Sequence, residues 1–458
     1  MKMKKITFRN VALAAMLCAT LISYSQEQPR KFGKYPVTVM DNGAVRCASY
    51  QNELILRDNN ANRADDEKFE KWIAQKIDEV KQDRLANPKS GNAVKMIPVV
   101  VHVIHNGDAV GSNENISLAR IQTQIAVLNE DYGMVENTNG GNNTGLGVDT
   151  GIQFCLAKVN PDGGTTDGVD RQPFTTAMYT TRLDVESIKL ATQWDPKQYL
   201  NIWTFNWGGT SDLEGLLGYA QFPSDSTLPG LDANGGEDYT DGVAISWVNF
   251  GSSDKINGTF DGTYNLGRTA THEIGHFLGL RHIWGDYQGC DGQQDYVADT
   301  PAQFKESRGC PTGADTCPQQ SGLDMYQNYM DYTNDICMSV FTANQRTRME
   351  TVLAKSPRRK ELVTTSRACG TLGTVDFKML QGINVYPNPA QTVINIATET
   401  EMPDSYTIFN SLGQVVASAQ NIVETNTIAV NVSDFANGIY FVKVDKGSES
   451  KTIKFIKN

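Results

Sequence analysis

The chain has 458 residues, 40% of them apolar, enough to bury substantial cores in two or three domains. Its formal net charge is −11 and its basic residues are scattered, which argues against nucleic acid or an anionic membrane surface as a partner. The one basic cluster, Arg358-Arg359-Lys360, reads as a solvated linker.

The chain opens on Lys2, Lys4, Lys5 and Arg9, followed by an apolar run from Val11 to Ile22 and the small residues Ser23 and Ser25. That run is too short to span a bilayer, so residues 1–25 read as a signal peptide cleaved after Ser25. No other stretch is long and apolar enough to cross a membrane, and the product is expected to leave the cytoplasm without an integral membrane segment. Residues 26–63 form a polar leader broken by Pro29, Gly33, Pro36 and Gly43, too small for a domain and read as a propeptide. It carries Arg46-Cys47-Ala48-Ser49. A thiolate binds zinc well, so Cys47 in a removable segment can act as a latency switch by filling an open metal position. The alternatives are a stray thiol or a partner for Cys155 or Cys369.

Residues 64–366 read as the main domain. Phe69, Trp72, Ile73, Ile77, Val80 and Leu85 give a helical period over 65–85. Met96 to Ile104 is a strong strand, with His102 and His105 at its end as ordinary strand and loop residues. An amphipathic helix covers 117–131 and a Gly/Asn-rich loop 137–147. Strands follow at 152–159 and 199–205, with a short helix at 183–192 between them. Leu216 to Pro223 reads as a sheet-edge strand closed by proline, and 242–248 as the last strand of a mixed sheet.

Thr271-His272-Glu273-Ile274-Gly275-His276-Phe277-Leu278-Gly279-Leu280-Arg281-His282 holds three of the five histidines. Residues four apart share a helix face, so His272 and His276 can aim at one ion. Gly279 can end the helix in a left-handed conformation and return His282 to the same ion. Three imidazoles leave zinc an open position, and Glu273 stands beside it as a general base.

The motif resembles that of the metzincin zinc endopeptidases, and within them the pappalysin family. The segments that carry the resemblance are Gly267-Arg268-Thr269-Ala270-Thr271, Asp299-Thr300-Pro301, the turn Asn328-Tyr329-Met330-Asp331-Tyr332, and the run from Met330 to Cys337 with Phe341-Thr342. It implies a metzincin-type α+β catalytic domain in which Met330 packs beneath the zinc and Tyr332 helps bind the oxyanion. It implies an edge strand that takes substrate in extended form. Asp335 is then placed in the pocket for the residue just after the cleaved bond, which predicts Arg, and less so Lys, at that position. Arg57 and Arg63 offer self-processing points in the leader. Of the three ways to pair Cys290, Cys310, Cys317 and Cys337, which the sequence leaves open, the resemblance implies Cys290–Cys317 and Cys310–Cys337. The oxygen-rich stretch 286–300 is a candidate calcium site through Asp295, Asp299 and Thr300, as relatives carry calcium near here.

After a linker at 367–381 the composition changes. Residues 382–458 lack cysteine and histidine and offer seven short strands, the pattern of an immunoglobulin-like β-sandwich. Val385-Tyr386-Pro387-Asn388-Pro389-Ala390, Leu412-Gly413-Gln414-Val415-Val416 and the run from Asn437 to Val444 resemble the C-terminal sorting domain of type IX (Por) secretion substrates. The resemblance implies that machinery as a partner and export through the periplasm of a Gram-negative bacterium to the surface or medium. The expectation is a secreted zinc endopeptidase acting on proteins or peptides and made as a latent proenzyme. The rival is a non-enzymatic adhesin or binding protein with a structural zinc, which has no use for Glu273.

Overall fold

A computed structural model describes residues 29–86, 94–141, 145–224, 240–291, 295–364, 369, 383–397, 403–411, 413–420, 427–446 and 449–458. The signal peptide expected at 1–25 lies outside these residues, as does the linker 367–381 apart from Cys369. Two compact units divide the chain, Met1–Leu372 and Gly373–Asn458.

The leader has more structure than its composition suggests. It forms a hairpin of β1 (Lys31–Phe32) and β2 (Tyr35–Pro36), then a helix, α1 (Ser49–Asn59). Tertiary contact holds α1, because its buried residues include the polar Ser49, Asn52 and Glu53. Helix α2 (Asp66–Ala86) follows, with Phe69, Trp72 and Ile73 buried in a cluster that includes Val352.

Strand β3 (Lys95–His105) has an almost unbroken apolar run, as suits a parallel strand covered on both faces. After it come α3 (Leu118–Gly133), β4 (Ile152–Leu156), β5 (Val169–Pro173), α4 (Arg182–Thr192), β6 (Leu200–Phe205), β7 (Gly218–Ala220) and β8 (Val243–Ser246). The sheet order is β4-β3-β6-β8-β7, with β5 also pairing β3. All pairs are parallel except β7 on β8, which leaves β7 at an edge. Strand β5 is absent from the sequence reading, since Val-Asp-Arg-Gln-Pro shows no apolar alternation. Its pairing with β3 makes it a strand. Helix α5 (Arg268–Phe277) packs on α3 and on β7 and β8, and it is buried along its whole length. Helix α6 (Ala343–Lys355) starts on a capping box between Thr342 and Gln345 and runs on to the short α7 (Arg359–Leu362).

Two of the three residues read as a solvated linker are instead interior, while Lys360 is exposed. Arg358 and Arg359 are buried and both pair with Asp241, Arg359 at 2.7 Å. Arg359 Nε donates to the Phe277 carbonyl at 2.8 Å and so caps the C-terminus of α5. Burial alone would raise the Asp241 carboxyl, but the two guanidiniums hold it down at about 2. Three disulfides join Cys155 to Cys369, Cys290 to Cys317 and Cys310 to Cys337, and Cys47 stays free and buried.

Among its described residues the second unit has seven strands: β9 (Asn384–Tyr386), β10 (Val393–Ala397), β11 (Ser405–Asn410), β12 (Val415–Gln420), β13 (Thr427–Asn431), β14 (Gly438–Lys446) and β15 (Glu449–Lys457). They form sheets ordered β13-β10-β9 and β12-β11-β14-β15, antiparallel throughout. Ile394, Ile396 and Val430 from one sheet share a core with Ile408, Val442, Val444 and Phe455 from the other, which makes a sandwich.

Candidate active site

Gly279 has φ +90° and follows the last turn of α5, so the chain reverses and brings His282 back beside His272 and His276. Their Nε2 atoms lie 3.1–3.2 Å apart. Nitrogens bound at about 2.0–2.1 Å to one tetrahedral zinc are spaced by about 3.4 Å, so the three fit that ion. Each Nδ1 is engaged from behind: His272 with the Tyr329 carbonyl at 2.7 Å, His276 with the Leu280 carbonyl at 2.8 Å, and His282 with Asp286 at 2.5 Å. A carbonyl accepts only from N–H, so in His272 and His276 the proton sits on Nδ1 and the Nε2 lone pair is free. Burial also holds both imidazoles well below their usual pKa and therefore neutral.

Glu273 is fully buried, and burial pushes its carboxyl up to about 7 against the hydrogen bonds it accepts. Its Oε2 accepts from Ser49 Oγ at 2.6 Å and from the Cys47 thiol at 3.4 Å, while Oε1 has no hydrogen-bond partner. Gly218 on β7 makes room for this side chain, since a Cβ there would press to 3.0 Å from Glu273 Cγ. Cys47 joins the three histidines in a group whose ligand atoms all lie within 4.8 Å of one another. Burial, and then the Glu273 charge, push the thiol up. A dication among the imidazoles would favour the thiolate.

The leader reaches this point along the sheet edge. Val45 N donates to the Gly215 carbonyl at 2.8 Å, Leu217 N to the Val45 carbonyl at 3.0 Å, and Ala48 N to the Gly218 carbonyl at 3.2 Å. Beyond Ala48 the leader becomes α1, and side chains replace backbone. Ser49 Oγ accepts from Ala220 N at 2.7 Å, and Asn52 Nδ2 donates to the Ala220 carbonyl at 3.1 Å. The neighbouring Arg46 is fully buried. Its NH2 pairs with Asp335 Oδ1 at 3.1 Å, its NH1 meets Thr269 Oγ1 at 2.5 Å, and its guanidinium lies 4.7 Å from the Tyr264 ring centroid. The other Asp335 oxygen accepts from Leu266 N at 2.9 Å and Arg268 N at 3.3 Å. Burial raises the Asp335 carboxyl, opposed by Arg46 and Arg268.

Met330 is buried under α5, where a Cβ on Gly275 would collide with its sulfur. The same turn supplies the Tyr329 carbonyl that holds His272. Tyr332 packs edge-on against His282, with ring centroids 4.8 Å apart, and its hydroxyl reaches the Cys47 carbonyl at 3.4 Å. The calcium candidates divide. Thr300 Oγ1 sits 2.8 Å from both Asp295 Oδ2 and the Val297 carbonyl, so two acceptors meet at its hydroxyl, and burial pushes the Asp295 carboxyl up to about 7. Asp299 faces elsewhere, accepting from Thr342 Oγ1 at 2.6 Å and Asn344 N at 2.9 Å at the start of α6. His102 lies away from the cluster, held between Asp170 and Asn201 at 2.8 Å each. The sequence reading assigns no role to Ser49, Asn52 or Asp286. Ser49 lies in the segment it singled out, but nothing in the sequence says which group a lone serine faces.

A family profile described as pregnancy-associated plasma protein-A matches residues 184–354. An extracellular metalloprotease of Sordaria macrospora is 35% identical over 260 residues, which cover 57% of this chain and 75% of that protein. The chain belongs to the pappalysin family of zinc metalloendopeptidases. An extracellular metalloprotease of Neurospora crassa is 48% identical over 253 residues, 55% of this chain and 73% of that one. Among solved structures, mature mirolysin of Tannerella forsythia in complex with a cleaved peptide is 37% identical with a TM-score of 0.51. It covers 60% of this chain, which covers 98% of it. A promirolysin mutant from the same organism is 35% identical with a TM-score of 0.53, covering 70% of this chain and 98% covered in turn. A second profile, described as a secretion system C-terminal sorting domain, matches residues 384–458. The pappalysin is thus a secreted zinc metallopeptidase with a zymogen form and a sorting tail, and the rival reading as a non-enzymatic binding protein falls.

Proposed function

We propose that this pappalysin hydrolyses the bond before an arginine, and less readily before lysine, with Glu273 as general base. The observation that carries the reading is Arg46, a leader arginine buried against Asp335 one residue from the candidate metal group. A guanidinium can pair with Asp335 and Thr269 at once through a planar fork, whereas an ammonium makes fewer directed contacts. His272, His276 and His282 would hold the zinc, which when bound supplies a Lewis acid and lowers the pKa of a water to about 7. Glu273, poised near neutral pH and with Oε1 free, takes the proton of the attacking water and returns it to the leaving amine. Tyr332 is positioned to donate to the developing oxyanion, and its present contact with the Cys47 carbonyl supports that role. Met330 would fill the space beneath the metal site.

Latency follows from direction. If arginine follows the cleaved bond, the residue on its N-terminal side passes the metal site. In the leader the C-terminal neighbour, Cys47, is there instead, so no bond before Arg46 is presented. Profiling a peptide library by mass spectrometry tests the specificity, and apolar residues after the bond in wild type and Asp335→Ala alike would refute it.

The domain limits are also proposals: a signal at 1–25, a propeptide from 26, the peptidase to 366, a linker at 367–381 and a sorting domain at 382–458. A propeptide end at 63 with cleavage before Arg57 or Arg63 requires α1 to open first. Arg57 lies within α1 and pairs with Glu53 and Asp66, and Arg63 is buried on Glu53. The promirolysin structure covers 70% of this chain and the mature one 60%. We therefore extend the removed segment through α2. Export through a Gram-negative periplasm by the type IX machinery is proposed on the sorting tail. Deleting 382–458 should trap the protein in the periplasm, and its normal appearance outside the cell would overturn this. Calcium is proposed on the convergence at Asp295, Val297 and Thr300, with Asp299 as the weakest of the ligands assigned.

A further inference from the structure

The pro-segment occupies a second charged site, remote from the Asp335 pocket. Glu70 of α2 lies with one carboxylate oxygen 2.6 Å from Arg348 NH1 and the other 2.6 Å from Arg348 NH2. Its Oε1 also accepts from Arg281 Nε at 2.7 Å, and Asp66 pairs with Arg281 NH2 at 2.7 Å. Both arginines are buried and belong to the peptidase body: Arg281 precedes His282, and Arg348 Nε is fixed on the Gly279 carbonyl at 2.6 Å. If α2 leaves on maturation, these two guanidiniums lose the carboxylates that neutralise them. An arginine pair with its fork already oriented is a carboxylate receptor.

The site also lies on the path of a substrate. Arg281 lies 5.7 Å from the ring centroid of Phe222, whose ring is 5.1 Å from that of His276. The Phe222 carbonyl, now bonded to Arg63 at 3.1 Å, continues the edge that begins at Gly215. Asp335 and Arg46 mark the Gly215 end as the side after the cleaved bond, so Phe222 lies on the side before it. Phe222 lies four residues after Gly218 and two past the end of β7, a reach of at most about 13 Å at about 3.3 Å per residue. We propose that Arg281 and Arg348 form a subsite of the mature enzyme that takes an acidic side chain about four residues before the cleaved bond. In the zymogen, Glu70 fills that subsite.

The proposal rests on the arginine-directed reading and on departure of α2, and the test separates all three. Wild-type enzyme matured by itself is weighed by mass spectrometry. It is then given peptide pairs that carry Arg after the bond and differ only in Glu or Gln at the third, fourth or fifth residue before it. Binding of the same pairs is followed by fluorescence anisotropy on the Glu273→Ala variant, matured by added wild-type enzyme. The expected result is a mature N-terminus beyond Ala86 and about tenfold tighter binding and lower KM for one Glu peptide over its Gln twin. That preference is lost in Arg281→Gln, read as equal affinity for the Glu and Gln peptides. Equal handling of Glu and Gln at all three positions overturns the subsite, and so does a mature enzyme that retains α2. Failure of the arginine reading shows separately, as products cut elsewhere than before Arg.

Discussion

The two units bury different kinds of residue. The second packs Ile394, Ile396, Ile408, Val442, Val444 and Phe455 into one apolar cluster, and the charged side chain buried among its described residues is Lys457. The first adds buried ion pairs to an apolar core: Arg268 with Asp131, Arg359 with Asp241, Arg348 with Glu70, and Arg46 with Asp335. Buried pairs contribute little net stability over apolar packing, yet breaking one leaves a stranded charge at a cost of about 3–5 kcal/mol. Among its described residues the sandwich holds no such buried pair. In the first unit such pairs cap a helix at Arg359 and join Arg46 of the leader and Glu70 of α2 to the rest of the unit.

The sharpest way to probe the first unit is at Glu273. Glu273→Ala should cut peptide hydrolysis by about 10²–10⁴-fold with zinc content by metal analysis unchanged, and loss of zinc would show a structural role instead. Asp335→Asn comes next. It strands the Arg46 guanidinium, so the proform should become protease-sensitive by about 3–5 kcal/mol of lost docking, and the mature enzyme should lose its arginine preference. In the second unit, Ile408→Ala should lower unfolding stability by about 2–5 kcal/mol, read by urea denaturation, while kcat/KM stays unchanged. Cys47→Ala should shorten the activation time course about tenfold, and adding Ser49→Ala should shorten it further, since that hydroxyl holds both Glu273 and the β7 edge. A time course like that of wild type would leave Cys47 a bystander thiol. The smallest effect is expected from EGTA, a fall of a few degrees in Tm that Asp295→Asn should abolish by removing the central proposed ligand.

Much of the site is legible in the sequence because it is local. The spacing of His272, Glu273, His276, Gly279 and His282 sets a helix face and a turn, and both follow from backbone geometry within a dozen residues. The seven sandwich strands are legible for the same reason, since a period-two pattern of apolar side chains decides which face is buried. Tertiary structure decided the rest. Strand β5 exists because β3 offers it partners, and α1 because the edge strand accepts Ser49 and Asn52. Arg358 and Arg359 read as solvated until Asp241, more than a hundred residues earlier, gives them a counter-charge in the interior. Pairing of Cys155 with Cys369, which leaves Cys47 as the free thiol among the described residues, likewise depends on chain segments 214 residues apart. A charge or a thiol carries no sign in the sequence of what it will face. The fold supplies the partner, and with it the difference between a surface residue and a functional one.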